Sequence, residues 1–171
     1  MDFVNWRMEL RDKKVIAILQ ARVLSTRLPA KVLLPLLKRP MLFRQVERIQ
    51  KCHALDEIII ATSDSDSDNP IEDLCLNEDI ACFRGSLNDV LSRYIHAAEK
   101  YNADIVVRLT GDCPLMDPNL IDKIVTKFLD SKLDYLSNCD PATFPDGLDV
   151  EVFTYSALKE ASINATLPSQ R

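Results

Sequence analysis

Three apolar segments, residues 15–19, 57–62 and 104–109, constrain the fold of this chain more than any other feature. Each has the length of a strand and is dominated by Val, Ile, Leu and Ala, which is typical of strands buried on both faces of a sheet. Patterns of helical periodicity, about ten to fifteen residues long, lie between them. Because alternating strands and helices form right-handed β-α-β units, the sequence predicts an α/β fold with a mainly parallel sheet.

Further elements follow from the same periodicities. Helices are predicted at residues 40–49, 70–77, 117–129 and 155–162, with another ending near residue 101, and shorter strands at 80–83, 133–137 and 148–153. Ser86 or Asn88 is expected to cap the helix that ends near residue 101, and Asp117 the helix after it. We interpret residues 1–13 as an N-terminal extension and residues 14–171 as one domain.

The composition excludes several classes of function. The net charge of −5 argues against an electrostatic grip on DNA or RNA, so no nucleic-acid partner is expected. No apolar run approaches the length of a membrane span, and the first residues lack the apolar core of a signal peptide. The five cysteines are odd in number and contain no close pair, which disfavours a disulfide framework and a zinc site. We therefore expect a cytoplasmic protein without a membrane partner.

A basic loop follows the first predicted strand, at the edge of the sheet where ligands bind in such folds. Arg22, Arg27 and Lys31 supply three cations, and Ser25 and Thr26 supply two hydroxyls. Guanidinium and ammonium groups neutralise phosphate oxygens, so this loop is predicted to bind a triphosphate. A solvated basic surface loop is the alternative. The glycine-rich fingerprints of dinucleotide-binding dehydrogenases and P-loop kinases are absent.

A carboxylate follows the third apolar strand at the same predicted edge. Asp112 lies after Gly111 and shortly before Pro114. Mg²⁺ typically binds one or two protein carboxylates together with substrate phosphates, so Asp112 is a candidate metal ligand. The alternative is that Asp112 only shapes the turn.

An acidic segment, residues 63–70, contains overlapping D-x-D spacings. A calcium loop counted from Asp64 is excluded, because its sixth position is Asn69 rather than Gly and its twelfth is Cys75 rather than Glu. The metal motif of a glycosyltransferase stays open. The favoured interpretation is a solvated acidic turn in which Asp68 or Asn69 caps the next helix.

Other polar residues have structural interpretations from pattern alone. Arg93 is interpreted as helix surface and Tyr94 as the edge of the core. His53 and His96 are interpreted as structural or surface residues. Residues 144–151 carry three acids beside one of the three glycines of the chain, and a bare turn would account for them.

Several strings of this sequence resemble those of one enzyme family. Residues 20–31, Gln-Ala-Arg-x-x-Ser-Thr-Arg-Leu-Pro-x-Lys, are similar to the signature of the cytidylyltransferase superfamily, which includes the enzymes that activate 3-deoxy-manno-octulosonate and acylneuraminate. Residues 61–64, 83–86, 89–94, 108–115 and 144–152 resemble the branch of the spore coat polysaccharide biosynthesis protein F. The resemblance runs in order from about residue 14 to the end of the chain. It implies a Rossmann-like three-layer α/β/α nucleotide-diphospho-sugar transferase fold.

The resemblance also implies an activity, the Mg²⁺-dependent transfer of a cytidylyl group from CTP to a sugar or sugar acid in surface polysaccharide biosynthesis. A sugar hydroxyl would attack the α-phosphate in line and pyrophosphate would leave, accelerated mainly by positioning and charge neutralisation. The implied nucleotide-binding residues are Gln20, Ala21, Arg22, Ser25, Arg27, Lys31, Arg84, Gly85 and Ser86. Arg22 and Lys31 would be catalytic together with Asp112, which would hold Mg²⁺, and Asp146, Asp149 and Glu151 would face the sugar acceptor.

This sequence departs from the family in two respects. Leu24 and Ala30 stand where the family commonly has glycine, which tests whether the loop backbone can approach phosphate. Family members continue past the position of Arg171 and supply a second metal-binding carboxylate there, so we expect the domain to be truncated. A glycosyltransferase of similar fold and a non-catalytic paralogue are the alternatives, and a homodimer is compatible with the expectation.

Overall fold

The computed structural model of this chain describes residues 12–25 and 28–171. Within them the strands are β1 (Val15–Gln20), β2 (Pro35–Leu36), β3 (Arg39–Pro40), β4 (Glu57–Ser63), β5 (Ala81–Gly85), β6 (Ile105–Thr110), β7 (Tyr135–Ser137) and β8 (Glu151–Thr154). Six of them form one sheet in the order β5-β4-β1-β6-β8-β7, and β2 and β3 form a separate hairpin. The first four strands of that order are parallel, whereas β8 is antiparallel to both β6 and β7.

Helices cover both faces of the sheet. They are α1 (Met41–Ile49), α2 (Asn69–Asn77), α3 (Val90–Lys100), α4 (Pro118–Leu129) and α5 (Tyr155–Asn164). Alternate residues of β1 face opposite layers: Ala17 and Leu19 pack in the core that α1, α2 and α4 cover, and Ile16 and Ile18 in the core that α3 and α5 cover. The side chains of β1 are therefore buried on both faces, as its unbroken apolar sequence predicts. The predicted three-layer fold is confirmed.

The late strands begin further along the chain than the pattern predicts. β8 begins at residue 151 instead of 148, because the side chain of Asn138 binds the backbone ahead of it. Its amide donates to the carbonyl of Leu148 at 2.8 Å, and its carbonyl accepts the N–H of Val150 at 2.8 Å. These contacts occupy backbone groups that a strand would use for pairing.

One of the predicted helix caps is wrong and another is confirmed. Helix α3 is capped by Asp89, whose carboxylate accepts the Ser92 N–H at 2.8 Å, and not by Ser86 or Asn88. The hydroxyl of Ser86 instead accepts the N–H of Asp89 at 3.1 Å, because the helix begins only at residue 90. Asp117 caps α4 as predicted. Among the described residues, no helix is both long and apolar enough to cross a membrane.

Candidate active site at the carboxyl edge of the sheet

The candidate residues lie on loops that leave one edge of the sheet. The parallel strands β1, β4, β5 and β6 end there at Gln20, Ser63, Gly85 and Thr110, respectively. β8 runs in the opposite direction and begins at this edge with Glu151. In open α/β sheets this edge is where ligands bind.

The ends of β1 and β6 approach closely at Gly111, the first residue of the β6 loop (residues 111–117). The N–H of Gly111 donates to the carbonyl of Gln20 at 2.7 Å. A Cβ atom on Gly111 would lie 2.9 Å from both the Cβ of Ala21 and the carbonyl oxygen of Gln20, and 3.2 Å from Leu42. Glycine is therefore required here for space. Gln20 and Ala21 therefore pack directly against the start of the β6 loop. Their contact with a nucleotide stays a prediction.

Lys31 and Asp112 meet across this edge. Lys31 begins a short 3₁₀ helix (Lys31–Leu33) after the β1 loop (residues 21–30), and its ammonium group forms an ion pair and a hydrogen bond with the Asp112 carboxylate. Burial alone would raise the pKa of Asp112, but the contact with Lys31 lowers it below its usual value. Asp112 is therefore ionised at neutral pH, which is the state that binds a metal cation.

A buried amide that the sequence analysis missed fixes the β6 loop. Gln45 of α1 is fully buried. Its side-chain N–H donates to the carbonyl of Thr110 at 2.7 Å, and its side-chain carbonyl accepts the N–H of Cys113 at 3.1 Å. These two contacts bracket Asp112 and hold its backbone in place. The only signal in the sequence was a polar residue beside the apolar stripe of a helix, which is too common to identify it.

The predicted phosphate-binding residues of the β1 loop have different surroundings. Arg22 is exposed and Ser25 is half-buried, and neither forms a hydrogen bond or ion pair with another described residue. Arg27 lies outside the described residues. The loop therefore offers the Arg22 guanidinium to solvent at the sheet edge, where an anionic ligand can reach it.

The two positions where the family commonly has glycine behave differently. Ala30 has a φ of 55°, in the left-handed region that favours glycine. Leu24 is not among the described residues with positive φ, and it is 53% exposed. Its side chain therefore points away from the core, and its backbone does not need glycine. The departure at Ala30 carries a conformational cost, and the one at Leu24 does not.

The acidic segment is a solvated turn at Asp64 and Asp66, which are exposed, but not at Asp68. Asp68 is fully buried and makes no capping hydrogen bond to α2. Its carboxylate instead accepts the N–H of Val23 at 2.7 Å, the N–H of Ser63 at 3.1 Å and the hydroxyl of Ser63. The predicted cap is wrong because these backbone groups of the sheet edge take both carboxylate oxygens. Asp68 is therefore also unavailable to the metal motif of a glycosyltransferase.

The segment after β5 was predicted to lie near the nucleoside. The guanidinium of Arg84 is occupied within the chain, since it binds Glu72 at 2.6 Å and the carbonyls of Ser63 at 3.0 Å and Ser65 at 2.8 Å. Its contact with a nucleoside stays a prediction, as do those of its neighbours Gly85 and Ser86.

The interpretation of Arg93 as helix surface is wrong. Arg93 is only 1% exposed and packs beside Gly85, because α3 lies against the sheet on this side. Its Nη1 donates to the carbonyl of Ser86 at 2.8 Å, whereas its Nε has no hydrogen-bond partner among the described residues. The adjacent Tyr94 is also buried. A buried guanidinium, that of Arg93, therefore packs beneath the end of β5 and holds the backbone that follows it.

One of the predicted sugar-facing acids is held within the chain. Glu151 forms an ion pair with Arg108, its direct neighbour on β6, and accepts the hydroxyl of Tyr135 at 2.8 Å. Burial alone would lower the pKa of Arg108, but the hydrogen bond to Glu151 raises it. A contact between Glu151 and a sugar stays a prediction, and a sugar hydroxyl would have to share the carboxylate with these partners.

The other two predicted sugar-facing acids lie beside the β6 loop. Asp146 is exposed and Asp149 is half-buried. Burial raises the pKa of the Cys113 thiol, and the negative charges of Asp112, Asp149 and Asp146 raise it further, so these carboxylates lie within electrostatic range of Cys113. The loop before β8 therefore places acidic groups near Asp112. Among the described residues, however, no group of three or more His, Cys, Asp and Glu side chains is arranged to hold a metal.

Comparison with known proteins identifies the family. Residues 16–167 match the cytidylyltransferase family. The spore coat polysaccharide biosynthesis protein SpsF of Bacillus subtilis is 38% identical over 125 residues, which cover 71% of this chain and 52% of that protein. An uncharacterized protein of Methanocaldococcus jannaschii is 44% identical over 158 residues, which cover 92% of this chain and 64% of that protein. The chain thus spans between half and two thirds of the length of these curated relatives.

Solved structures agree with this assignment. A cytidylyltransferase from Leptospira borgpetersenii superimposes with a TM-score of 0.89 at 38% identity, covering 93% of this chain and 68% of the other. A CMP:2-keto-3-deoxy-manno-octonic acid synthetase complexed with CTP superimposes with a TM-score of 0.71 at 18% identity, covering 92% of this chain and 81% of the other, which shows a shared fold. Because residues 16–167 match the family and a 38% identical cytidylyltransferase has the same fold, this chain belongs to the cytidylyltransferase family.

Proposed function

We propose that this chain binds CTP at the carboxyl edge of its sheet and transfers the cytidylyl group to a sugar or sugar acid with Mg²⁺. The observation that carries the proposal is the contact between Lys31, just after the β1 loop, and Asp112 in the β6 loop, which the fold brings together at one edge of the sheet. A lysine can neutralise phosphate oxygens, and a carboxylate can bind the cation that accompanies a triphosphate. The adjacent exposed Arg22 adds a second positive charge for the phosphates.

The relatives support both the nucleotide and the acceptor class. The synthetase of the same fold was solved with CTP, and SpsF is named for polysaccharide biosynthesis. The match covers only 52% of SpsF. That this chain uses the substrates of the family is therefore part of the proposal. Arg27, Ser25 and the segment from Arg84 to Ser86 are included as nucleotide contacts on the strength of the resemblance.

The chemistry assigned to the site is in-line displacement at the α-phosphate. The sugar hydroxyl releases its proton to water and forms the new P–O bond as the bond to pyrophosphate breaks. Lys31 and Arg22 would hold the phosphates and neutralise charge that develops on their oxygens. Asp112 is a hard oxygen donor that is ionised at neutral pH, so it fits Mg²⁺, which when bound supplies further charge neutralisation. Asp146 and Asp149 would then contact acceptor hydroxyls.

Ligand binding requires an exchange of partners at this site. Without ligand, Lys31 and Asp112 neutralise each other. A triphosphate with its cation offers each of them a new partner, so the charge balance of the edge is kept when their ion pair separates. We therefore assign the Lys31–Asp112 pair to the unliganded protein.

The glycosyltransferase alternative is disfavoured by the same structure. Of the two overlapping D-x-D spacings in the acidic segment, the one from Asp66 to Asp68 is unavailable, because Asp68 is buried and its carboxylate is occupied by hydrogen bonds, which leaves only the exposed pair Asp64 and Asp66. The remaining alternative is a non-catalytic domain of the same fold. Such a domain would bind CTP without releasing pyrophosphate.

Pyrophosphate release tests the proposed activity. The protein is incubated with CTP, Mg²⁺ and 3-deoxy-manno-octulosonate or other sugar acids, and Asp112→Asn is the matched control. We expect release that depends on the acceptor and is lost in the control. CTP binding without release for any acceptor would favour a binding domain, and faster release from UTP, GTP or ATP would contradict the assignment to CTP.

A further inference from the structure

The base of the β1 loop is closed by the backbone of Val23. Its carbonyl accepts the N–H of Ala30 at 2.8 Å, which joins the two ends of the loop. Its N–H donates to the carboxylate of Asp68 at 2.7 Å. Val23 directly follows Arg22, so these two contacts fix the point at which the loop and its first cation leave the sheet.

Asp68 connects this base to the neighbouring strand. Its second carboxylate oxygen accepts the N–H of Ser63 at 3.1 Å and the Ser63 hydroxyl, at the end of β4. Burial alone would raise the pKa of Asp68, but the hydrogen bonds from Ser63 and Val23 lower it, so the carboxylate is ionised. No cation forms an ion pair with Asp68 among the described residues, and the hydrogen bonds from Val23 and Ser63 stabilise its buried charge.

We propose that Asp68 is a positioning residue for nucleotide binding, because it anchors the Val23 amide and thereby aims the β1 loop at the triphosphate. The inference rests on the proposed function of that loop. Asp68 does not touch the ligand in this account. Its effect passes through the backbone of Val23 to the adjacent Arg22, and a displaced Arg22 loses its alignment with the phosphates.

The competing explanation is that Asp68 only stabilises the fold. Asp122 provides a matched control for that explanation. It is another buried carboxylate, and it accepts the backbone N–H groups of His53 and Ala54 at 2.9 Å. Those residues lie between α1 and β4, at the opposite edge of the sheet from the β1 loop. Loss of Asp122 should therefore remove comparable hydrogen bonds without disturbing the loop.

The test compares CTP affinity in Asp68→Ala and Asp122→Ala by calorimetry, at a temperature where circular dichroism shows both folded. We expect CTP binding to weaken about 10- to 100-fold in Asp68→Ala, which is the loss of about one charge-assisted phosphate contact, and to be unchanged in Asp122→Ala. Asp68→Asn keeps one acceptor for two backbone donors, so it should fall between Asp68→Ala and the unaltered protein. Equal affinity in Asp68→Ala and the unaltered protein, or equal losses in the two alanine variants, would overturn the inference.

Hydrogen exchange at the Val23 amide keeps the inference testable if Asp68→Ala does not fold. In the unaltered protein without nucleotide, this amide should be protected, and in Asp68→Asn it should exchange faster. A Val23 amide that exchanges as fast as an exposed amide in the unaltered protein would refute the anchor. If the unaltered protein does not bind CTP, the proposed function fails, and so does the role of Asp68 in nucleotide binding. Unchanged affinity in the variants refutes only the inference.

Discussion

Substitution of Gly111 by alanine tests how tightly the two strands of the site are joined. The added Cβ would lie 2.9 Å from the Cβ of Ala21 and from the carbonyl oxygen of Gln20, well inside van der Waals contact. Neither neighbour can rotate away, because one is a backbone atom and the other is the first atom of a side chain. Relief therefore requires β1 and the β6 loop to move apart.

The cost of Gly111→Ala can be worked from these contacts. Overpacking of this kind destabilises by about 1–3 kcal/mol. The hydrogen bond from Gly111 to Gln20 is 2.7 Å long, and stretching it would remove about 1 kcal/mol more. We expect a total loss of about 2–4 kcal/mol, which corresponds to a melting temperature lowered by about 4–16 °C. Because Asp112 is the next residue, Mg²⁺-dependent CTP binding should weaken as well.

Urea denaturation measures the loss, and Gly85→Ala is the matched control. A Cβ at Gly85 would meet a ring carbon of Phe83 at 3.0 Å and the Cγ of Arg93 at 3.3 Å, so its two nearest contacts are longer than those at Gly111 and neither is with a backbone atom. Gly85→Ala should therefore cost at least about 1 kcal/mol less than Gly111→Ala. If the two variants had the same free energy of unfolding, or if Gly111→Ala matched the unaltered protein, the close approach of β1 and the β6 loop would be refuted.

Two further predictions concern the metal and the β1 loop. Asp112→Asn should still bind CTP but lose most of the dependence on Mg²⁺, because the neutral amide no longer offers the carboxylate that would link the protein to a phosphate-bound Mg²⁺; calorimetry with and without Mg²⁺ measures this. Asp117→Asn is its control, since Asn caps a helix as well as Asp, and an equal loss in both variants would contradict the role of Asp112. Ala30→Gly should raise the free energy of unfolding by about 0.5–1 kcal/mol, because relief of the left-handed backbone exceeds the entropy cost of glycine. Ala161→Gly, in an exposed turn of α5, should lower it by about 1 kcal/mol, and a destabilised Ala30→Gly would show that residue 30 does not carry this strain.

The arrangement of layers could be predicted from the sequence because it depends on long-range patterns. The unbroken apolar runs of β1 and β4 indicate burial on both faces, and they pair as adjacent parallel strands. The carboxyl edge then follows from the topology, so Lys31 and Asp112 could be placed at one edge although 81 positions separate them. The sequence pattern therefore predicts which edge of the sheet carries the site, but it does not predict the side-chain contacts at that edge.

Local polar contacts were harder to predict because one side chain can satisfy several roles. Asp68 stands just before a helix, where a cap is the ordinary expectation, yet it binds Val23, which is 45 positions away. Gln45 looked like any polar residue on a helix, and Arg93 like helix surface, although both are buried. For Asp68 and Gln45 the deciding partner is a backbone group of a distant loop, which no local spacing reveals. For Arg93 the partner is the nearby carbonyl of Ser86, and what the local sequence does not show is that α3 packs this side chain against the sheet.

Calorimetric titration with CTP and Mg²⁺ tests the central claim most directly. CTP should bind more tightly than ATP, GTP or UTP, and Lys31→Ala should weaken it by about 1.5–3 kcal/mol, or roughly 10- to 150-fold. Lys51→Ala is the control, since Lys51 is exposed and follows α1 at the opposite edge of the sheet. Tight CTP binding that Lys31→Ala weakens and Lys51→Ala does not would support the site. No heat of binding with any triphosphate at millimolar concentration, or equal affinity in Lys31→Ala and the unaltered protein, would contradict it.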